Sequence, residues 1–301
     1  MRGILVLDKP SGLTSHDVVD RVRRLLGERR VGHAGTLDPP ATGVLVLGVG
    51  QATRVLRFLP LHEKEYRASV RLGWETATGD ACGEPLGAPQ PVQVSGEEIE
   101  AALAAFRGEI SQVPPAVSAL KVGGAPAYLR VRRGEAVEPE PRRVAIYQLE
   151  LTTYRPPLVE LRLVTSPGTY VRSVARDLGR MLGCGAHLAT LRRTRVGAYG
   201  LAEAQVLPDP SRAEDLAQAV VPLERALAHL EEVRLGESDS AALLCGVAPR
   251  LTDAPPPGDA GGGERRVCLR DPAGRVLAVA RRPAEGDRFV LDCIVGSPGE
   301  L

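Results

Sequence analysis

Large rings are scarce in this chain. One tryptophan, six tyrosines and three phenylalanines make up 3% of 301 residues, so the interior has to be built from leucine, valine and alanine. Lysine is scarcer still: Lys9, Lys64 and Lys121 are the lysines among 38 basic residues, and the rest are arginine. Five cysteines (82, 184, 245, 268, 293) are scattered without CxxC spacing. That argues against a zinc site or a disulfide framework and for a reducing compartment. No apolar run is long enough to span a bilayer. The first such run, Ile4 to Leu7, stops at Asp8, too short for a secretory leader. A cytoplasmic protein that makes no use of membranes is expected.

What remains is ordinary globular composition, 44% hydrophobic and 25% charged. The net charge of +1 hides an asymmetry. Residues 172–195 carry six arginines against Asp177, or +5, whereas residues 201–240 carry nine acids against three arginines, or −6. A basic sector beside an acidic one is the footprint of a phosphate-rich partner.

Periodicity places a strand at 3–7, then a helix over His16 to Leu26 capped by Ser15, with Val18, Val19, Val22, Leu25 and Leu26 on one face and Gly27 ending it. A strand at Val44 to Val49, a short helix over Ala52 to Leu59 and an alternating strand through Tyr66 to Leu72 follow. Ser95-Gly96-Glu97-Glu98 is a capping box for a helix with Ile99, Leu103 and Phe106. Strands at 142–153 and 158–164 lead through Ser166-Pro167-Gly168 into a helix ending near Leu182. The elements lack a regular βαβ rhythm, so an α+β fold with a mixed, largely antiparallel central sheet and flanking helices is expected. Composition shifts near residue 230. The division expected is a large domain over 1–229, with a helical connection at 211–229, and a small β-rich domain over 230–301 holding a Pro/Gly-dense loop at 255–263.

Gly32-His33-Ala34-Gly35-Thr36-Leu37-Asp38-Pro39-Pro40-Ala41-Thr42-Gly43 puts one carboxylate in a loop stiffened by prolines and flanked by apolar strands. Asp38 is there either a turn-former or a nucleophile or counter-charge. No Walker spacing follows it, no second acid shares the loop, and His33 has no metal-site companions. Tyr66 is a core ring or a base-stacking ring. Arg172, Arg176 and Arg180 form an i, i+4, i+8 stripe, which is a solvated face unless Arg172 turns inward to hold a buried acid. Leu191-Arg192-Arg193 is a strand with an exposed basic edge or a phosphate-contacting strip beside a pocket wall.

Six segments together closely resemble the TruB-type tRNA pseudouridine synthases, in the family's order and all within residues 1–200. They are Lys9-Pro10-Ser11-Gly12, Gly32 to Gly43, Lys64-Glu65-Tyr66, Pro114-Pro115 to Lys121, Ser166 to Ser173, and Leu191-Arg192-Arg193. The tail resembles, more weakly, the RNA-binding PUA domain. The resemblance implies isomerisation of uridine 55 in the T-arm of tRNA by base flipping, with no cofactor, no metal, no obligatory protein partner and a monomeric chain. It maps the indispensable aspartate onto Asp38, its arginine partner onto Arg172, and the stacking tyrosine, a candidate acceptor of the C5 proton, onto Tyr66. His33, Tyr170 and Leu191 map onto the nucleotide pocket, and His33 also onto the residue that fills the space a flipped base vacates. Lys9, Lys64, Lys121, Arg192 and Arg193 map onto supporting or RNA-contacting positions. The departures are Pro40, a missing arginine before Ala127-Tyr128, and the 255–263 loop. Two other classes fit parts of the pattern: an RNA-binding or tRNA-folding protein without necessary catalysis, and a nucleoside hydrolase, for which no water-activating group is evident.

Overall fold

A computed structural model describes residues 1–297 apart from 119, 123–124, 136, 138, 210–212, 252–264 and 284–285. Eleven strands form one mixed sheet. Its main path runs Gln205–Val206, Gly3–Lys9, Thr42–Val49, Ala186–Val196, Lys64–Leu72, Leu158–Thr165, Arg142–Arg155, Gly108–Gln112, and short strands at Val31–His33, Tyr199–Gly200 and Val221–Pro222 attach to it. Neighbours on this path are antiparallel except Gly3–Lys9 with Gln205–Val206 and Thr42–Val49 with Ala186–Val196. The fold is α+β, as composition and rhythm implied.

The sheet is two halves joined at one seam. Thr42–Val49 and Ala186–Val196 pair through Arg192↔Thr42 and Arg193↔Gly43. Gly43 has φ +103°, and a Cβ there would overlap the Arg193 carbonyl, so this approach requires glycine. On one half, Val18, Val19 and Val22 of the Ser15–Leu26 helix bury against Leu5, Leu7, Leu45 and Leu47. Thr14, not Ser15, caps this helix: its hydroxyl accepts from Asp17 N, and the Asp17 carboxylate accepts from Thr14 N. The Ser15 hydroxyl is engaged elsewhere, with both N and O of Leu37. On the other half, the helices Gly96–Ala104 and Val171–Met181 cover Val70, Leu72, Leu161 and Leu163. Ser95 and Glu98 form the expected capping box, but the helix ends at Ala104 and Phe106 packs from the turn beyond. Residues 50–58 form two short 3-10 turns in place of one helix.

A second sheet, Glu231–Arg234, Arg265–Arg270, Val276–Arg282 and Val290–Ile294, is backed by the helix Glu237–Leu244. It shares a core with the large sheet: Cys268, Val276, Val279 and Val295 pack with Ile4, Val6, Val44 and Val46. The connection is only partly helical. Ala213–Gln218 and Leu223–Ala226 are helices, while Val221–Pro222 pairs with the first strand. The 255–263 loop lies outside the described residues.

Of the two readings of Leu191-Arg192-Arg193, the position of Arg193 excludes an exposed basic edge. Ala186–Val196 is an interior strand, and Arg193 is 1% exposed. Its guanidinium donates to Val44 O (2.7 Å), Thr36 O (3.2 Å) and Gly35 O (3.1 Å). Three carbonyl partners offset the cost of burying the charge. Replacing it, as in Arg193→Leu, strands those carbonyls, and each unmet acceptor costs about 1–3 kcal/mol. Urea unfolding of that variant is expected to show a stability loss of about 3 kcal/mol or more; an unchanged midpoint contradicts the assignment. Cutting the chain after residue 229 bares Ile4, Val6, Val44 and Val46. The truncated protein is therefore expected to melt well below the full chain and to bind a hydrophobic dye, whereas an unaltered melting temperature would show the shared core to be dispensable.

Candidate active site

The Asp38 loop is held at every carbonyl from Gly35 to Pro40. Arg193 takes Gly35 O and Thr36 O. Ser15 takes Leu37 O at 3.1 Å and receives Leu37 N at 2.9 Å. Ala41 N donates to Asp38 O, and Gly12 N to Pro39 O. Lys9 Nζ also donates to Pro39 O (3.1 Å), as well as to Leu13 O (2.6 Å) and Pro10 O (2.9 Å). Ser11 Oγ closes the set on Pro40 O at 3.3 Å. Lys9 is fully buried. Desolvation, eased by the Asp38 charge, pushes its ammonium down to about 8, so it stays cationic at neutral pH. Lys9 and Arg193 thus hold the loop from within the protein.

The Asp38 carboxylate points away from these anchors. Its Oδ2 lies 2.9 Å from Arg172 Nε as an ion pair, with the N–H direction off the hydrogen-bond line. Arg172, in the first turn of the Val171–Met181 helix, is 5% exposed. Its two terminal nitrogens donate to Thr78 O (2.8 Å) and Val117 O (3.0 Å), which fixes the guanidinium plane. Asp38 keeps 38% of its side chain exposed. The rest of the arginine stripe is engaged elsewhere: Arg176, partly buried, pairs with Asp177, and the exposed Arg180 pairs with Glu75.

A second acid, not foreseen from the sequence, stands behind the arginine. Asp80 Oδ2 is 3.8 Å from Arg172 Nε, and Asp80 Oδ1 accepts from Thr78 Oγ1 (2.6 Å) and Cys82 N (3.0 Å). Its signal, one acid in a polar turn after a strand, is common to many surface loops. Gln112 was missed too. It is 3% exposed and grips the Tyr170 backbone at both ends, accepting from its N (2.8 Å) and donating to its O (3.2 Å).

A cleft of about 290 Å³ opens over Asp38, lined also by Lys64, Tyr66, Leu120, Tyr170, Arg172 and Leu191. A narrow recess sharing Asp38, Arg172 and Leu191 reaches Asp80. Tyr66 is 6% exposed and stands opposite Arg193 in the register, where its hydroxyl meets the buried guanidinium. His33 lines neither space. It is half-buried at the far end of the loop, its Nδ1 has no partner, and burial lowers its pKa so that the ring is neutral at pH 7. Arg192 is drawn to Asp8 (2.6 Å) and Thr42. Lys121 heads a two-residue strand, Lys121–Val122. Among the described residues no group of three or more His, Cys, Asp or Glu is placed to hold a metal, and no helix is long and apolar enough to cross a membrane. The arrangement offers a carboxylate beside a fixed cation, with an aromatic and aliphatic wall around the cleft above it.

Known proteins resemble this chain in sequence and in shape. Residues 23–171 match the TruB family pseudouridylate synthase N-terminal domain, and residues 172–228 match the tRNA pseudouridylate synthase B C-terminal domain. The tRNA pseudouridine synthase B of Thermobifida fusca is 47% identical over 300 residues, covering 96% of this chain and 97% of the relative. That of Pseudomonas aeruginosa is 45% identical over 259 residues, covering 84% and 85%. Among solved structures, a chain of a Cbf5-Nop10-Gar1 complex superposes with a TM-score of 0.71 at 27% identity, covering 99% of this chain and 86% of that one. An H/ACA RNP chain bound to a substrate RNA containing 2'-deoxyuridine gives 0.70 at 26%, covering 98% and 86%. The chain therefore belongs to the TruB family of pseudouridylate synthases, isomerases that form pseudouridine in tRNA.

Proposed function

We propose that the reaction takes place at uridine 55 in the T-arm of tRNA, on a nucleotide everted into the cleft above Asp38. The observation that carries this reading is the Asp38–Arg172 pair at 2.9 Å, half open to a space of about 290 Å³. Isomerisation breaks the N-glycosidic bond, turns the base and rejoins it through C5. It transfers no electrons to an acceptor and consumes no water, so the residues need no cofactor.

Extraction of a stacked base costs a few kcal/mol. Tyr66 and Tyr170 offer ring surface for it, Leu191 an aliphatic wall, and the neutral His33 a flat side chain for the vacated space. Asp38 is nucleophile toward the sugar or base, or counter-charge to the detached fragment. Each role needs a carboxylate aimed at the nucleotide, and the fixed Arg172 guanidinium holds it at the edge of the cleft. Tyr66 is the candidate acceptor of the C5 proton. The small sheet from residue 230 is assigned as a PUA-like RNA-binding unit, and the chain acts as a cytoplasmic monomer without an obligatory partner.

An unmodified tRNA transcript tritiated at uridine C5 separates the classes. The isomerase releases label with the strand intact and no free uracil; a binder releases none, and a hydrolase frees the base. Asp38→Asn is expected to abolish release while tRNA affinity stays within about twofold, since the charge lost lies on the base-reading side and not on a phosphate contact. Turnover retained in Asp38→Asn contradicts the assignment. In the same assay Arg172→Met is expected to slow single turnover by about a hundredfold or more; a rate within a few fold of wild type contradicts a catalytic pair.

A further inference from the structure

One cation in the cleft has no part in the scheme above. Lys64 opens the Lys64–Leu72 strand two residues before Tyr66, so both side chains leave the strand on one face, and both line the cleft over Asp38. Its ammonium lies against the backbone of Gly35: a Cβ there, at φ +113°, would stand 3.1 Å from Lys64 Nζ and 3.8 Å from Arg193 Nη1. Arg193 is fully engaged with three carbonyls. The Lys64 ammonium has no hydrogen-bond or ion-pair partner among the described residues. Burial and the Arg193 charge push it down to about 8, so it remains protonated at neutral pH. A half-buried, unpartnered cation beside a second cation is unfavourable until an anion reaches it.

The sequence adds an independent sign. Arginine fills 35 of 38 basic positions, yet lysine stands here. A compact ammonium fits the space left by Gly35 and Arg193, and the planar guanidinium needs more room.

We propose that Lys64 is a further catalytic residue, whose ammonium holds the negative charge that uracil acquires as it leaves the sugar. The proposal rests on the reading that a uridine occupies the cleft. When the C1′–N1 bond breaks, its electron pair stays with the base, giving a uracil monoanion with charge shared by N1, O2 and C5. The sugar C1′ is left electron-poor on the Asp38 side. After rotation, C5 donates the pair to C1′, the C5 proton leaves to a base, and N1 regains a proton, so atoms and electrons balance. Lys64 flanks the ring beside Tyr66, on the side where that charge develops. The phosphates of an everted nucleotide stay with the strand at the mouth of the cleft. A preorganised cation in a partly desolvated site acts where charge appears in the transition state.

The test compares wild type, Lys64→Met and Asp38→Asn in single turnover on full-length tRNA carrying uridine or 5-fluorouridine at position 55. Loss of uridine is followed by C5 tritium release, and loss of fluorouridine by nucleoside analysis after digestion. Fluorine stabilises the departing anion, so the variant needs Lys64 less on that substrate. The expected result is a rate about a hundredfold lower for Lys64→Met on uridine, a penalty about tenfold smaller on fluorouridine, and tRNA affinity within about twofold. Three results overturn the proposal: an unchanged rate, a loss confined to affinity (a phosphate contact), or equal penalties on both substrates (a packing role). If Lys64→Met lowers the melting temperature, Lys64→Gln, which keeps a polar head of similar reach, takes its place under the same criteria. Failure of wild type to convert position 55 would instead sink the underlying reading, independently of Lys64.

Discussion

The constraint on which this site depends is the immobilised backbone under Asp38. A six-residue loop with two prolines has every carbonyl met by a donor. Apart from the local Ala41 N on Asp38 O, the donors come from distant parts of the chain: Lys9, Ser11, Gly12 and Ser15 near the start, Arg193 from the strand at the seam of the sheet. Each hydrogen bond contributes only about 1 kcal/mol net. Their joint effect is positional, because a carboxylate fixed before substrate arrives avoids reorganisation during the reaction. The seam itself rests on Gly43, where any side chain would collide with the Arg193 carbonyl. The sheet, the loop and the acid are therefore one mechanical unit.

Arg172 divides its donors in a way that gives the pair its chemistry. Two nitrogens hold main-chain carbonyls, and the third faces two carboxylates, Asp38 at 2.9 Å and Asp80 at 3.8 Å. One guanidinium between two acids leaves the cluster a net negative charge. Asp80 is tied to Thr78 and to Cys82 N, whereas Asp38 is the one open to the cleft. The uncompensated charge is thus presented to the cleft. At the Gly35 end of the same loop, Lys64, which lines the cleft, and the buried Arg193 supply the opposite sign.

Much of this was legible in the residues because it is local. The Ser95 capping box, the apolar face of Val18, Val19 and Val22, and the alternation through Tyr66 follow from spacing alone. Asp38 stood out by the glycines and prolines around it. What escaped depends on neighbours far away in sequence. Leu191-Arg192-Arg193 reads either as an exposed basic edge or as a phosphate-contacting strip beside a pocket wall, and neither shows that its strand is interior, where three carbonyls from residues 35, 36 and 44 compensate the Arg193 charge. Ser15 resembles a helix cap, but the Asp17 carboxylate selects Thr14 and frees Ser15 for Leu37. Asp80 and Gln112 carry no local mark of their roles; each gains one only when residues 170–172 are brought alongside.

The claim that the Asp38 loop is fixed before tRNA binds can be tested on the free protein by amide hydrogen exchange. The amides of Leu37, Ala41 and Gly12, bonded to Ser15 Oγ, Asp38 O and Pro39 O respectively, are predicted to exchange as slowly as those of Leu45 and Leu47 in the adjoining strand. Exchange at the rate of an open surface loop, with protection appearing only on addition of tRNA, would contradict the account.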